Sequence, residues 1–163
     1  MVDLLNTKDP TQTRMPKVTV IVACRNEEEF LHKCLLSLLK QDYPQELLEI
    51  LVIDGMSTDK TWAVGHYFEE MYPNVKVDVN PKRFKYPGLN QGIKRASGEF
   101  IAIADAHSTY PKTYLSKLVE WLRLVTNFNV MNAGCGRIFV PRKDTALGRA
   151  ITLAQTEAFS CFK

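Results

Sequence analysis

The run Phe100–Ala104 (FIAIA) constrains the fold more than any other stretch. It is apolar throughout and is followed at once by Asp105, Ala106 and His107. Alternating bulky and small apolar residues are typical of a strand buried on both faces of a parallel sheet. Open α/β sheets bind ligands at the carboxyl ends of their strands. In an extended segment, side chains two positions apart point the same way, so Asp105 and His107 could share a cation or a cation-bound phosphate. The alternative is a turn-capping aspartate and an ordinary loop histidine, and this run alone leaves both open.

Length and composition predict one globular domain. The chain has 163 residues, of which 45% are hydrophobic, and that content is sufficient for a single core. The net charge of +3 is spread along the chain, so it gives no indication of nucleic-acid binding and we expect no nucleic-acid partner. No apolar run approaches the roughly 18 residues that a membrane span requires.

The N-terminal segment and the cysteines bear on the cell compartment. Residues 1–16 lack the apolar region of a secretory signal, and we expect a polar arm there, followed by one domain over 17–163. Cys24, Cys34, Cys135 and Cys161 form no CxxC pair and no zinc-finger spacing, which favours a reduced, cytoplasmic protein. Peripheral association with the inner face of the membrane, through segments beyond this chain, stays open, as does the oligomeric state.

Strand-like and helix-like segments alternate, which predicts a mostly parallel, doubly wound α/β sheet with helices on both faces. The predicted strands are 18–23, 49–54, 75–79 and 100–104, with two shorter ones at 130–133 and 138–140. The first strand, VTVIVA, is rich in β-branched residues and is expected to be central.

The predicted helices lie between these strands, and most have a recognisable start or end signal. They are a helix capped by Asn26 that ends near Gln41, a helix capped by Ser57 or Thr58 and closed by Pro73, residues 88–96 with Leu89, Ile93 and Ala96 inward, a helix opened by Pro111, and residues 145 to about 159.

Polar residues at the strand ends indicate a nucleotide site. The strands ending in Asp54 and Asp105 are expected to be neighbours, and Asn26 follows the first strand, so the base would lie near that strand and the phosphates near a metal. VTVIVACRNEEE has no glycine after the strand and the chain has no GxxxxGK[ST], which disfavours dehydrogenases and P-loop proteins. A metal-dependent hydrolase using Asp54, Asp105 and His107 would lack the further ligands such sites need.

Three sequence blocks resemble a known family. They are VTVIVACRNEEEFLHKCLLSLLKQDYP, EILVIDGMSTDKT and GLNQGIKRASGEFIAIADAH, and together they resemble the nucleotide-binding half of family 2 glycosyltransferases, which have the GT-A fold. The wording DGxSTD, GLNxGI and DAH is most similar to the succinoglycan-biosynthesis type of glucosyltransferase within that family.

The resemblance implies a role for individual residues. Asp54 would accept a hydrogen bond from the N3–H of uracil, Asp105 would lie near the ribose and the metal, and His107 would be the direct metal ligand. The nucleotide-binding residues implied in this way are Ala23, Arg25, Asn26, Asp54, Asn90 and Asp105, with the backbone of Gly88 and Gly92 beside the sugar nucleotide.

Three positions depart from the family pattern. Gly55 replaces the second Asp of the usual DD pair, Leu89 replaces the Arg of ARN, and His107 replaces the second carboxylate of DXD. The cofactor implied is Mn²⁺ or Mg²⁺, and an imidazole in place of a carboxylate favours the borderline ion Mn²⁺.

The resemblance also implies the reaction, an inverting transfer of a hexose from a UDP-sugar to a saccharide or lipid-linked saccharide acceptor in polysaccharide biosynthesis. Such enzymes use a carboxylate base downstream of DXD. After His107 we find only scattered acids, namely Glu120, Asp144 and Glu157. We therefore expect a chain truncated before its catalytic base, and a non-catalytic nucleotide-sugar-binding module is the alternative function.

Several other polar residues have a simpler interpretation. Asp59 is expected to lie at a helix start, where the helix dipole alone explains it. His32 and His66 are expected to lie within helices without a chemical role. The basic run Lys82, Arg83 and Lys85 is either a solvated face or a contact for an anionic ligand, and the sequence leaves that choice open.

Overall fold

The computed structural model describes residues 14–126, which form a parallel sheet with helices on both faces. The elements in chain order are β1 (Val18–Cys24), α1 (Leu31–Leu39), a 3-10 helix (Gln45–Leu47), β2 (Leu48–Asp54), α2 (Thr61–Met71), β3 (Val75–Val79), α3 (Lys85–Arg95), β4 (Phe100–Ala104) and α4 (Tyr114–Thr126). The predicted elements at 130–133, 138–140 and 145–159 lie outside the described residues. A helix long and apolar enough to span a bilayer is absent from residues 14–126.

The strand order is β3-β2-β1-β4, and all three pairings are parallel. β1 therefore lies inside the sheet, as its β-branched sequence predicts. The same order corrects one expectation, because β2 and β4 flank β1 on opposite sides. The strands that lead to Asp54 and Asp105 are not neighbours, and the exit of β1 lies between the two carboxylates.

The two faces of β1 belong to two different apolar clusters. Val18, Val20 and Val22 pack with α1, α2 and α4 on one face. Ile21 packs with Leu89 of α3 on the other face. Because successive side chains of a strand point to opposite faces, one run of β-branched residues supplies both layers.

β4 is buried on one face only, which corrects the expectation of burial on both. Ile101 is 41% exposed and Ile103 is 47% exposed, whereas Ala104 is buried. The two isoleucines lie in register with Thr19 and Ile21 of β1. α3 packs over β1 and β2, so it leaves the corresponding face of β4 exposed within the described part of the chain.

The first turns of α1 and α2 begin later than the sequence predicts. α1 begins at Leu31 after Phe30, not at a cap on Asn26. α2 begins at Thr61 after Lys60, and no side chain at that position caps it, so Ser57 and Thr58 are not caps. These polar side chains bond instead to neighbouring loops, and that long-range pairing is invisible to a local capping pattern.

The two later helices differ from their predicted bounds in a similar way. α3 begins at Lys85 rather than Gly88, and Ile93 is exposed rather than inward. α4 begins at Tyr114, three positions after Pro111. Its apolar stripe is as predicted, with Leu115 and Val119 buried.

Gly92 allows α3 to approach β1 closely. A Cβ at Gly92 would lie 2.6 Å from Cγ2 of Ile21, whereas a Cβ at Gly65 of α2 would lie 3.3 Å from Cγ2 of Val77. The first contact is shorter than packed carbon atoms tolerate, and the second requires a much smaller adjustment. The two helical glycines thus form a matched pair that differs in available space.

We expect Gly92→Ala to be less stable than Gly65→Ala by about 1–3 kcal/mol, the usual cost of overpacking a core. Both variants gain the same helix propensity, so the difference isolates the contact with Ile21. Urea unfolding of the two variants and the parent chain, followed by circular dichroism, measures it. Equal free energies of unfolding for the two variants would contradict this packing.

Glu49 forms a hydrogen-bond network at the amino end of the sheet. Its carboxylate accepts hydrogen bonds from Oγ1 of Thr19 at 2.5 Å, from the backbone N–H of Ser97 at 3.0 Å and from Oγ of Ser97 at 2.8 Å. Burial opposes ionisation of this carboxyl, but the three hydrogen bonds outweigh burial and hold the pKa of Glu49 below its ordinary value. The charged form therefore stabilises the fold.

A lowered pKa in the folded state adds stability above the unfolded pKa of about 4.3, and that stability is lost as the pH falls through the folded value. We expect Glu49→Gln to reduce the fall in Tm between about pH 6 and pH 3, because the variant lacks this titration. Glu46→Gln, at an exposed position nearby, is the control and should keep the parent pH dependence. Parallel Tm curves for the parent and Glu49→Gln would refute the network's contribution.

Candidate functional site

The carboxyl edge of the sheet carries two adjoining clefts. The first cleft, of about 190 Å³, is lined by residues that follow all four strands. The second cleft, of about 520 Å³, lies over the loop after β2. Arg25 and Arg83 line both clefts, so a ligand longer than either one could occupy the two together.

Asp105 lies directly after β4 and lines the first cleft. Its Oδ1 lies 2.5 Å from Nζ of Lys85, and its side chain is 11% exposed. The Asp105 carbonyl accepts a hydrogen bond from the N–H of Ser108 at 3.1 Å, so residues 105–108 form a turn rather than the extended segment that was expected. The aspartate is ion-paired with the start of α3.

His107 lines the same cleft from the same turn. Its Nδ1 lies 3.3 Å from Oε1 of Glu27, and its side chain is 57% exposed. Asp105 and His107 therefore line one cleft. Each side chain has its own partner, because Lys85 contacts the carboxylate and Glu27 contacts the imidazole.

The donor atoms in this cleft fit a divalent cation only if a ligand completes the coordination. No cluster of three or more His, Cys, Asp or Glu side chains within residues 14–126 is arranged to hold a metal. Asp105 and His107 offer one oxygen and one nitrogen donor, which suits a borderline ion such as Mn²⁺. The ammonium of Lys85 already forms an ion pair with the carboxylate of Asp105. A cation held by one or two side chains commonly takes its other ligands from phosphates and water.

Asp54 ends β2 and is nearly buried, with 3% exposure. Its Oδ2 accepts a hydrogen bond from the N–H of Ser57 at 3.0 Å, and its Oδ1 accepts one from Oγ of Ser57 at 2.5 Å. The carboxylate lines the second cleft, not the first. Asp54 thus fixes the loop after β2 and leaves its remaining lone pairs for a ligand in the second cleft.

Asn26 joins the loop after β1 to the loop after β2. Its Oδ1 accepts a hydrogen bond from the N–H of Thr58 at 2.9 Å, and its own N–H donates to Oγ of Ser57 at 2.9 Å. Its φ of 54° is in the left-handed region, which asparagine tolerates well. Asn26 lines neither cleft, so the structure gives it a loop-shaping position, whereas Ala23 and Arg25 line the first cleft.

Asn90 lies exposed on α3 and lines neither cleft. Gly88 faces the sheet, where a Cβ would lie 3.1 Å from Nδ2 of Asn80. The glycines of this helix therefore serve its close approach to the sheet, and Asn90 stands apart from the other implied nucleotide-binding residues.

Sequence reasoning missed Asn80, which is 4% exposed and lines the first cleft. Its Nδ2 donates to the carbonyl of Phe84 at 2.8 Å and its Oδ1 accepts from the N–H of Lys82 at 3.1 Å. These bonds shape the basic loop that brings Arg83 to both clefts, with φ of 63° at Arg83. A polar residue directly after a strand was the available signal, the same one that identified Asp54 and Asp105.

Asp59, His32 and His66 lie close to their predicted places, but Asp59 also lines the second cleft. Asp59 lies before α2 and accepts hydrogen bonds from the N–H and Oγ1 of Thr61 at 2.9 and 2.5 Å. Burial opposes its ionisation, but the hydrogen bonds outweigh burial and hold the pKa of Asp59 below its ordinary value. His32 and His66 lie on α1 and α2 and contact the rings of Phe68 and Trp62.

Cys24 lines the first cleft at the end of β1 as a free thiol. Burial raises the pKa of Cys24 far above its ordinary value, and the carboxylates of Asp54 and Glu27 raise it further. A protonated thiol is a poor nucleophile and a poor metal ligand. Cys24 therefore contributes packing rather than chemistry to the site.

Known proteins share both the sequence pattern and the fold. The family model described as "Glycosyl transferase family 2" matches residues 19–140. The dolichyl N-acetyl-alpha-D-glucosaminyl phosphate 3-beta-D-2,3-diacetamido-2,3-dideoxy-beta-D-glucuronosyltransferase of Methanococcus voltae is 36% identical over 123 residues, which are 74% of this chain and 38% of that relative.

Two solved structures resemble the chain in three dimensions. The mannosyltransferase PcManGT from Pyrobaculum calidifontis, in complex with GDP-Man and Mn²⁺, has a TM-score of 0.62 and 34% identity, covering 68% of this chain and 33% of that one. TarS of S. aureus, in complex with UDP-GlcNAc, has a TM-score of 0.58 and 26% identity, covering 75% of this chain and 37% of that one.

The chain thus spans 38% of the length of the Methanococcus voltae relative and matches a part of the domain in each solved structure. The predicted α/β GT-A fold is confirmed, with the parallel sheet and flanking helices described above. Because the family model covers most of the chain, from the second residue of β1 to well beyond α4, the chain belongs to glycosyl transferase family 2.

Proposed function

We propose that the chain forms the donor-binding part of an inverting glycosyltransferase, which transfers a hexose from a UDP-sugar to a saccharide or lipid-linked saccharide acceptor in polysaccharide biosynthesis. The observation that carries this proposal is the first cleft, where Asp105 and His107 lie with Arg25, Arg83 and Lys85 at the carboxyl edge of the sheet. A nucleoside diphosphate requires such a combination, because its oxygens bind both basic side chains and a divalent cation.

Asp105 and His107 would hold Mn²⁺ or Mg²⁺ together with the diphosphate. Such a cation would neutralise the charge that develops on the departing UDP. Lys85 pairs with Asp105 in the described structure, so donor binding would transfer this ammonium from the carboxylate to the phosphates. The chain's own contribution is the orientation of these groups at one edge of the sheet.

The base of the donor would lie toward the second cleft, with Asp54 as hydrogen-bond acceptor and Arg25 beside it. Ala23 would contact the donor from the first cleft, and Asn26 would hold the loop that carries Ser57 and Thr58. The proposal of uracil rests on the resemblance to the family, supported by the UDP-GlcNAc complex of TarS. PcManGT binds GDP-Man, so the binding measurements compare UDP with GDP. Asn90 would act at the sugar only if α3 moved.

The acceptor and the location are proposed from the relatives. The name of the Methanococcus voltae relative describes a transfer to a dolichyl phosphate-linked sugar, which supports a lipid-linked saccharide acceptor. A lipid-linked acceptor would place the protein at the inner face of the membrane, in the cytoplasm. Within the family, the DGxSTD and DAH blocks favour the succinoglycan-biosynthesis type.

We expect UDP to bind the chain at least about tenfold more tightly with Mn²⁺ than with a chelator, because the cation joins Asp105 and His107 to the diphosphate. Asp105→Asn and His107→Ala should each remove most of that difference. Isothermal titration calorimetry with UDP and with GDP, each with Mn²⁺ and with EDTA, measures both the metal dependence and the choice of base.

Two control variants make the same chemical changes away from the clefts. Asp42 lies at an exposed position after α1 and His32 is exposed on α1, so Asp42→Asn and His32→Ala are the controls. Both should bind UDP as the parent chain does. Equal affinity of the parent chain for UDP in Mn²⁺ and in EDTA would refute the proposed cation site.

In the proposed transfer, a base takes the proton of the acceptor hydroxyl, the oxygen bonds to the anomeric carbon, and the bond from that carbon to the diphosphate breaks. Glu120 is exposed on α4 and lines neither cleft, while Asp144 and Glu157 lie outside the described residues. We propose that none of the three is the base and that this chain lacks one, because in the sequence each of them is an isolated acid.

We expect the 163-residue chain to release UDP from its donor slowly, because general base catalysis contributes about 10²–10⁴-fold. Glu120→Gln and Glu157→Gln should leave that rate unchanged. A UDP-release assay with and without acceptor measures it. Fast, acceptor-dependent release that is lost in Glu157→Gln would place the base inside the chain, whereas donor binding without any transfer would favour the non-catalytic module.

A further inference from the structure

The backbone of Asp105 is held by one partly buried hydroxyl. Oη of Tyr110 accepts a hydrogen bond from the N–H of Asp105 at 2.7 Å and donates one to the carbonyl of the same residue at 3.4 Å. Asp105 and Tyr110 are five positions apart, so the hydroxyl closes a loop that contains the whole turn with His107. Both polar backbone groups of the aspartate are thereby fixed.

The Tyr110 end of this loop is itself fastened to α1. The N–H of Tyr110 donates to Oγ of Ser37 at 3.0 Å, and that hydroxyl donates to the carbonyl of Cys34 at 2.7 Å. Nε2 of Gln41, also buried, donates to the carbonyl of Pro111 at 2.8 Å. The turn is therefore connected to a helix of the core rather than to solvent-exposed loops alone.

We propose that Tyr110 is a positioning residue for the cation-binding turn, and that its hydroxyl increases the affinity for nucleotide and divalent cation bound together. This inference rests on the proposed function. The Asp105 carboxylate and the His107 imidazole can meet one cation only if the turn between them keeps a fixed conformation, and Tyr110 is the side chain that bonds to both backbone groups at its start.

The hydroxyl is suited to this task because it can accept one hydrogen bond and donate another at the same time. Without it, the N–H of Asp105 would lose its partner in a partly buried position, which costs about 1–3 kcal/mol and favours relaxation of the turn. The ring would remain packed on Tyr114, whose centroid lies 4.7 Å away.

Tyr110→Phe removes only this hydroxyl, and Tyr43→Phe is a matched control. Tyr43 is buried in the apolar cluster against which the partly buried Tyr110 packs, and its hydroxyl donates to the carbonyl of Pro16 at 2.5 Å. That bond ties β1's N-terminal side to the loop after α1, away from both clefts. Each variant loses one hydrogen-bonded hydroxyl, so a general loss of stability affects both.

The measured quantity is the Kd of UDP in EDTA divided by its Kd in Mn²⁺, from calorimetry on the full chain. We expect Tyr110→Phe to lower this ratio by about tenfold, the effect typical of losing a partner that orients a metal ligand. The Kd in EDTA should stay unchanged, and hydrogen exchange of the Asp105 amide should become faster. Tyr43→Phe should change neither the ratio nor that exchange rate.

A second variant guards against misfolding of the first. Ser37→Ala keeps the hydroxyl of Tyr110 but removes its backbone anchor, and it should lower the same ratio by a smaller factor. A parent-like ratio in folded Tyr110→Phe, or in Ser37→Ala if Tyr110→Phe does not fold, would overturn the positioning role. A parent chain whose own ratio is one would instead refute the cation site of the proposed function, and this inference with it.

Discussion

The parallel pairing of β1 with both β2 and β4 is the constraint on which the site depends. Because all described strands run in one direction, every strand exit falls at one edge of the sheet. The order along that edge is Asn80 after β3, Asp54 at the end of β2, Arg25 after β1 and Asp105 after β4. Two clefts follow from this order, since β1's exit separates the two carboxylates.

The loops at this edge hold one another in place. Asp54 binds Ser57, Asn26 binds Thr58, and the carbonyl of Asp54 accepts a hydrogen bond from the N–H of Asn80 at 2.7 Å. Asp54 and Asn26 each give a backbone N–H of the loop after β2 a hydrogen-bond partner. Hydrogen bonds therefore link the loops after β1, β2 and β3 to one another.

Local patterns in the sequence were sufficient for the parallel sheet and for part of the first cleft. The apolar run of β1 predicted a central strand, and the polar residues after the strands predicted Asp105 and His107 in one cleft. The exposure of Ile101, the separation of Asp54 from Asp105 and the loop role of Asn26 were missed. All three depend on strand order or on pairing between distant loops, which single-segment periodicity does not encode.

Two of the cleft residues have a backbone conformation that glycine would adopt at lower cost. Met56 and Arg83 have φ of 56° and 63°, and the left-handed region costs a residue with a Cβ roughly 1–2 kcal/mol. Both side chains line the second cleft. Glycine would relieve this strain, but it would remove one apolar and one cationic side chain from the wall of the second cleft.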